Sequence, residues 1–322
     1  MYAGRMPPAL DLNGLIPATV LPLTDDAHID EPALRRYVRW LLGFDGLKAL
    51  AANMDTGEGP HLSRDEKRRV LDIYVDECAG RVPVLAGIGG PYTAAACDLA
   101  RDAERSGAAA IVVFPIPAFA GEPLTPDVPY EYHRAIADAC GLPMVLFQLQ
   151  PSLAGVLFSR ETLLRLIEIP TVVAIKEASF DAVKFVETRR ILDEAPRPIT
   201  FLTGNDNFIL ESFLLGCTGA LIGFGTIAIA EQIEMFRRVE RGDIAGARRL
   251  GDVVQPLADA LFAAPVRNYR ARMKEALRLL GVIDSTTMRP PLLPLNTSEV
   301  AAVSRAMSKV RLAASGSLAG VP

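Results

Sequence analysis

Histidine and cysteine are scarce in this 322-residue chain, at three and four copies. His28, His61 and His133 lie far apart, and none of the cysteines forms a C-x-x-C pair, so the ligand spacings of a zinc or iron site are missing and no metal is expected. Cys78, Cys97, Cys140 and Cys217 each fall in or near the end of an apolar helical pattern and read as small buried hydrophobes. Basic charge has no excess either. Against 38 acidic residues stand 34 Lys and Arg, dispersed along helices, and a net charge of −4 without a basic stripe argues against a nucleic-acid partner. No apolar stretch reaches the roughly 20 residues of a membrane span. Residues 1–14 carry Arg5, Asp11 and two prolines but not the apolar core of a signal peptide, so an N-terminal arm and a cytoplasmic location are expected.

What the chain does have is alternation. Short, β-branched apolar runs at Leu15–Leu23, Leu47–Asn53, Val82–Ile88, Ala108–Pro115, Pro143–Leu149, Thr171–Lys176, Ile199–Thr203 and Gly219–Phe224 are separated by longer segments of helical period. Eight such units predict an α/β fold, a TIM (β/α)8 barrel over residues 15–242, in preference to an open doubly wound sheet. Leu34, Val38, Leu41 and Leu42 share one face of the first helix, and Val70, Leu71, Tyr74, Val75 and Cys78 one face of the second. Ser63 and Glu66 are spaced as a capping box that starts the second helix. After the eighth helix, around Ile229–Arg241, helical periodicity continues through Ala245–Ala264 and Val266–Leu280 with no strand between, then passes the rigid Pro290–Pro294 connector into Ser298–Leu312. A C-terminal helical appendage over 243–312 and a disordered tail over 313–322 are expected.

Lys176 closes the sixth apolar run, at the end of a barrel strand where such folds place their chemistry. Asp55–Gly59, Phe147–Gln148, Thr203–Asp206 and Gly223–Gly225 reach the same face and should converge with it on one mouth. A lysine there is suited to Schiff-base formation, provided a desolvating wall such as Phe147, Val173, Ile175 and Phe224 lowers its pKa, at about 1.4 kcal/mol per unit. The plainer alternative is a strand-end lysine that reaches water or pairs with Glu177. Asp55–Gly59 is either an ordinary turn or a cradle whose amides and Thr56 hydroxyl hold a substrate carboxylate. Gly223–Thr226 could cradle a phosphate or simply leave room, and Gly87–Gly90 lacks the spacing of a dinucleotide fingerprint.

Together, Thr56-Gly57-Glu58, Arg81–Gly87, Ile175-Lys176-Glu177-Ala178-Ser179 and Thr203-Gly204-Asn205-Asp206 resemble the dihydrodipicolinate synthase and N-acetylneuraminate lyase family of class I aldolases, from about Leu15 to Leu295. The resemblance implies a barrel with a C-terminal helical domain, a homo-oligomer (dimer or tetramer), and no cofactor beyond an imine between Lys176 and pyruvate or another 2-keto acid. It also implies a carboxylate anchor made of Thr56 with the Asp55 and Gly57 amides, and a floor of Gly204 and Leu221. Against the family pattern, Asp55 replaces the first of two threonines, Phe147 a proton-relaying tyrosine, Gln148 an asparagine and Leu153 a carboxylate-binding arginine, while Phe114–Pro117 lacks a further tyrosine. The relay could pass to Asp55, to Thr56, to Gln148 through water, or to the substrate's own carboxylate. A pocket near Leu153, Ile116 and Phe119 suits an apolar aldehyde. Three readings follow: a Schiff-base aldolase or dehydratase, a genuine 4-hydroxy-tetrahydrodipicolinate synthase using aspartate semialdehyde, and a non-catalytic 2-keto-acid-binding regulator.

Overall fold

The computed structural model describes residues 10–121 and 123–313; the first nine residues of the expected arm and all but Ala313 of the expected tail lie outside them. All eight expected strands form: β1 Leu15–Pro17, β2 Leu50–Ala52, β3 Val84–Ile88, β4 Ala110–Val113, β5 Met144–Leu149, β6 Val172–Ala178, β7 Thr200–Thr203 and β8 Gly219–Ile222. They pair in parallel in the order β1-β8-β7-β6-β5-β4-β3-β2. The ring closes between β1 and β2 through one bridge, Ala18 to Ala51. This is a TIM barrel.

Several strands are shorter than their apolar runs, and proline explains the first. Pro17 and Pro22 have no N–H to give a ladder. Between them, the Ala18 amide still donates to Ile222 O (2.9 Å) and the Thr19 amide to Ala51 O (3.1 Å), so two residues stitch β1 to both of its neighbours. β6 differs in the other direction. It runs two residues past Lys176, which pairs with Phe147 on one side and Leu202 on the other.

Alternation along the strands divides the core. Ile16, Ala51, Leu85, Val112, Val145 and Leu202 fill the barrel interior, and their sequence neighbours Leu50, Ala86, Ile111, Leu146 and Phe201 face the helices. Those helices are α1 Glu31–Leu41, α2 Arg64–Cys78, α3 Thr93–Ser106, α4 Asp127–Ala139, α5 Arg160–Ile167, α6 Ala182–Asp193, α7 Ile209–Leu214 and α8 Ile229–Glu240. The capping box that opens α2 is present, with Ser63 accepting from the Glu66 amide and Glu66 from the Ser63 amide. Gly87 illustrates the cost of tight packing: a Cβ there would stand 2.4 Å from Asn53 O, so this glycine serves close approach of backbone. All four cysteines are buried and free.

Past the barrel come α9 Ile244–Leu261, α10 Tyr269–Leu279 and α11 Thr297–Met307, the last opened by a second capping box, Asn296 with Glu299. α10 is unusual because Tyr269 to Leu277 are all buried, including Arg270, Arg272, Lys274 and Glu275. Buried charges require partners. Arg270 meets Asp55, Arg272 meets Glu299, Lys274 meets Glu58 and Glu275 meets Arg278. Two of these four pairs run to the loop after β2, so the appendage is fastened directly to the barrel mouth. Among the described residues no helix is long and apolar enough to cross a membrane.

Candidate active site

Lys176 points inward from β6 into a cleft at the carboxyl ends of the strands, and is only 7% exposed. Its Nζ lies over the Phe147 ring, 4.1 Å from the centroid, because β5 and β6 place the two residues in register. Burial pushes the amine down to about 8, against the opposing pull of Asp206 and Asp55. Among the described residues neither carboxylate forms an ion pair with it, and Glu177 is turned away toward Ser179 and Asn205. The strand-end lysine that reaches solvent or pairs with Glu177 is thereby excluded. An amine held this way carries an appreciable neutral fraction near neutrality and can attack a carbonyl.

Glycine makes room for it. A Cβ at Gly204 would stand 2.7 Å from Lys176 Cε and 2.7 Å from Ala178 Cβ. The Gly204 amide donates to Glu177 O at 2.6 Å, which ties the end of β7 to β6 beside the lysine. Asn205 then fixes the loop after β6: its Nδ2 donates to the Glu177 carboxylate (2.7 Å), and its Oδ1 accepts from the Phe180 amide (2.6 Å). Phe180 is held at a φ of 60° and lines the cleft.

Asp206, the last residue of the Thr203–Asp206 segment, is buried and lines the same cleft. Its carboxyl is pushed up to about 7 by burial, with the Phe224 amide (2.8 Å), the Lys176 charge and the Gly223 amide pulling the other way. This settles the alternative of a phosphate cradle at Gly223–Thr226. The loop's amides serve the protein's own carboxylate. Gly223 is confined for a second reason, since a Cβ would lie 3.1 Å from Thr56 Oγ1 and 3.1 Å from Phe262 Cζ.

Asp55 lies in the cleft as well, but its carboxylate is engaged. Arg270 Nη2 donates to both oxygens at 2.5 Å, Arg270 Nε donates to Asp55 O at 2.9 Å, and the Tyr269 hydroxyl donates to Oδ2 at 2.7 Å. Tyr269 Oη is also 3.4 Å from Thr56 Oγ1, and its ring stacks on Phe262 with centroids 4.8 Å apart. Among the described residues, no three His, Cys, Asp or Glu side chains converge to hold a metal ion. A roomier groove beside α2 and α3, lined by Arg64, Lys67 and Tyr92, is separate from Lys176.

A model of the dihydrodipicolinate synthetase family matches residues 11–310. The chain belongs to that family. It is 32% identical over 294 residues to the 4-hydroxy-tetrahydrodipicolinate synthase of Bradyrhizobium diazoefficiens, covering 91% of this chain and 95% of that one. To the enzyme of the same name from Acidiphilium cryptum it is 33% identical over 304 residues, covering 94% and 99%. Among solved structures, dihydrodipicolinate synthase from Bacillus anthracis superposes with a TM-score of 0.84 at 27% identity, covering 94% of this chain and all of that one. The chloride-inhibited Acinetobacter baumannii dihydrodipicolinate synthase, solved with pyruvate, does so at 0.82 and 29%, covering 92% and 98%. Dihydrodipicolinate synthetase family members are lyases of the class I aldolase type.

Within this family framework the expected site residues divide. Lys176, Asp55, Thr56, Phe147, Leu153 and Gly204 all line the cleft. Three expected residues do not line it. Gln148 points outward, donating to Thr188 Oγ1 (3.1 Å) and accepting from the Phe158 amide (2.8 Å), because strand alternation sends it opposite to Phe147. Leu221 is packed inside the barrel and is not part of the floor. The Gly57 amide is committed to Met54 O at 3.1 Å, closing a turn, and so is not free to bind a carboxylate. Ile175, Phe224, Ile116 and Phe119 belong to the outer core between barrel and helices. The apolar side of the cleft is instead Leu149, Leu153, Phe180 and Phe262. Tyr269, Arg270 and Phe262 escaped the sequence reading because they arrive from the appendage, far along the chain. The signal available was a tyrosine and an arginine side by side at the start of a helix.

Proposed function

We propose that this protein is a lyase that binds pyruvate or another 2-keto acid as an imine on Lys176, without a separate cofactor, and works as an aldolase or dehydratase. The observation that carries the reading is a buried lysine amine with no ion-pair partner among the described residues, its pKa lowered by desolvation, facing a cleft in a fold whose family uses a lysine imine. Thr56 and the Asp55 amide anchor the keto-acid carboxylate, and Gly204 gives the lysine its path. The second substrate is an aldehyde without a carboxylate near Leu153, because an unpaired anion against Leu149, Leu153 and Phe262 would be desolvated without compensation. A dimer or tetramer, expected from the resemblance, is readable by sedimentation.

Borohydride reduction in the presence of pyruvate, followed by peptide mass mapping, tests the imine. The expected product is an adduct on the peptide that contains Lys176; no adduct with any 2-keto acid overturns the reading. The names of the relatives favour a second reading, synthesis of 4-hydroxy-tetrahydrodipicolinate from pyruvate and aspartate semialdehyde. Phe147 and Leu153 predict weak turnover of that pair in a coupled assay. Robust turnover would establish the second reading over the first.

A further inference from the structure

Any imine lyase must move protons beside its lysine, and β5 offers no group for it. Phe147 presents an aromatic face to Lys176 Nζ, and Gln148 is turned into the outer core. Among the described residues that line the cleft, two carry hydroxyls: Thr56 and Tyr269. Tyr269 is the first residue of α10 and is buried, and every neighbour serves to fix its ring. Phe262 stacks on it, and the Arg270 guanidinium stands 5.0 Å from its centroid. The phenol hydrogen is directed at Asp55 Oδ2, whose carboxylate Arg270 grips through both oxygens. Its oxygen lies 3.4 Å from Thr56 Oγ1, so a hydroxyl chain runs from the loop after β2 to the appendage.

We infer that Tyr269 is the proton-transfer residue of this site, working through Thr56, with Asp55 and Arg270 as its positioning residues. The inference rests on the imine reading above. Attack of the neutral Lys176 amine on the keto carbon forms the C–N bond and moves the carbonyl electron pair onto oxygen. That oxygen gains a proton from Thr56, which is resupplied by Tyr269 once its hydroxyl turns from Asp55 to Thr56, and the proton lost from nitrogen restores the phenol. In the next step the carbinolamine C–O bond breaks. The departing hydroxide takes a proton along the same path and leaves as water, the nitrogen pair forms the C=N bond, and Tyr269 is left as phenolate. Removal of a C3 proton by the phenolate regenerates the phenol and yields the enamine. The sum is amine plus keto acid giving enamine plus water, with no other reactant.

The appendage thus supplies from Tyr269 what β5 does not. A group working as general acid and base contributes roughly 10² to 10⁴ in rate. Two readouts on the intact protein separate this inference from the imine reading: cyanoborohydride trapping of pyruvate on Lys176, and exchange of the pyruvate C3 protons with D2O followed by NMR. If the wild type forms no adduct, the imine reading has failed, and this inference with it. If the adduct forms, Tyr269→Phe is expected to keep at least half of the adduct amplitude once trapping is complete, since a lost relay slows imine formation without lowering its end point, while the C3 exchange rate falls by at least tenfold. Exchange within tenfold of wild type, or a final adduct amplitude lost in the same proportion as the exchange rate, overturns the role of Tyr269. Replacement of Tyr269 by 3-fluorotyrosine, nearly isosteric but more acidic, gives a check that does not depend on folding of the phenylalanine variant. The charged groups facing the phenol are Asp55 and Arg270, with Lys176 and Asp206 across the cleft, and none of them is changed. The exchange pH profile should move to lower pH while the final adduct amplitude stays unchanged; an unmoved exchange profile also overturns the inference.

Discussion

Two lysines among the described residues are buried, and their surroundings are opposite. Lys274, wholly buried on α10, donates to Glu58 Oε1 at 2.5 Å and to Thr287 O at 2.7 Å. Lys176 has an aromatic ring on one side and the open cleft on the other, with no ion pair among the described residues. Burial lowers both amines, but at Lys274 the facing carboxylate pulls back through charge and hydrogen bond, whereas Lys176 feels Asp206 and Asp55 only through the field. An ammonium with its donors satisfied holds structure together. An amine left unsatisfied is available for chemistry, and the fold bears the cost of keeping it dry.

Exchanging each lysine for methionine should separate the two roles most sharply. Lys176→Met is expected to abolish the keto-acid adduct while leaving thermal stability unchanged or raised, since an unpaired buried amine is removed. Lys274→Met strands the Glu58 carboxylate and should cost about 3–5 kcal/mol in denaturant unfolding. If Lys176→Met proved the more destabilising of the two, the contrast would fail. Next in size, Gly204→Ala should displace the Lys176 side chain: overpacking of this kind costs about 1–3 kcal/mol, and misplacement of the amine about 10²-fold in the rate of adduct formation. Unchanged trapping kinetics would show that the lysine has another path.

The pH profile refines the comparison further. Adduct formation needs neutral Lys176, so its rate should rise with pH and level off above about 8. Asp206 raises the Lys176 pKa by its charge, so Asp206→Asn should move that midpoint to lower pH; a shift to higher pH would contradict the assignment. The sign for stability follows from the same shift. Between about 8 and the ordinary 10.5 the unfolded chain binds more protons at this site than the folded one, so the Lys176 contribution to stability rises with pH across that window. The smallest expected effect lies outside the site. Ser63→Ala removes the α2 cap and should cost about 1 kcal/mol with no change in trapping.

Much of this was legible in one dimension. Eight apolar runs became eight parallel strands because burial on both faces leaves a period that any reader can see. Ser63 and Glu66 declared the start of α2, since two amides without helical partners need those side chains at that spacing. Lys176 was visible because a charge at the end of an apolar run is out of place. Asp55 was not legible in the same way: nothing local says whether its carboxylate turns back on its own loop or meets Arg270, which lies 215 positions away. Nor was α10, whose helical period does not say that its arginines and lysine are buried against partners on the β2 loop and α11.

The sequence by itself determined the barrel, the helices that follow it and the identity of the unusual lysine, because periodicity, capping and composition are local properties. Only the tertiary structure decided which hydroxyl stands beside Thr56 in the cleft, which carboxylate occupies the Gly223 loop, and that Gln148, Leu221 and the Gly57 amide are committed elsewhere. Those outcomes depend on which polar groups are left unpaired once the core is packed, and that is settled only when distant segments compete for the same partners.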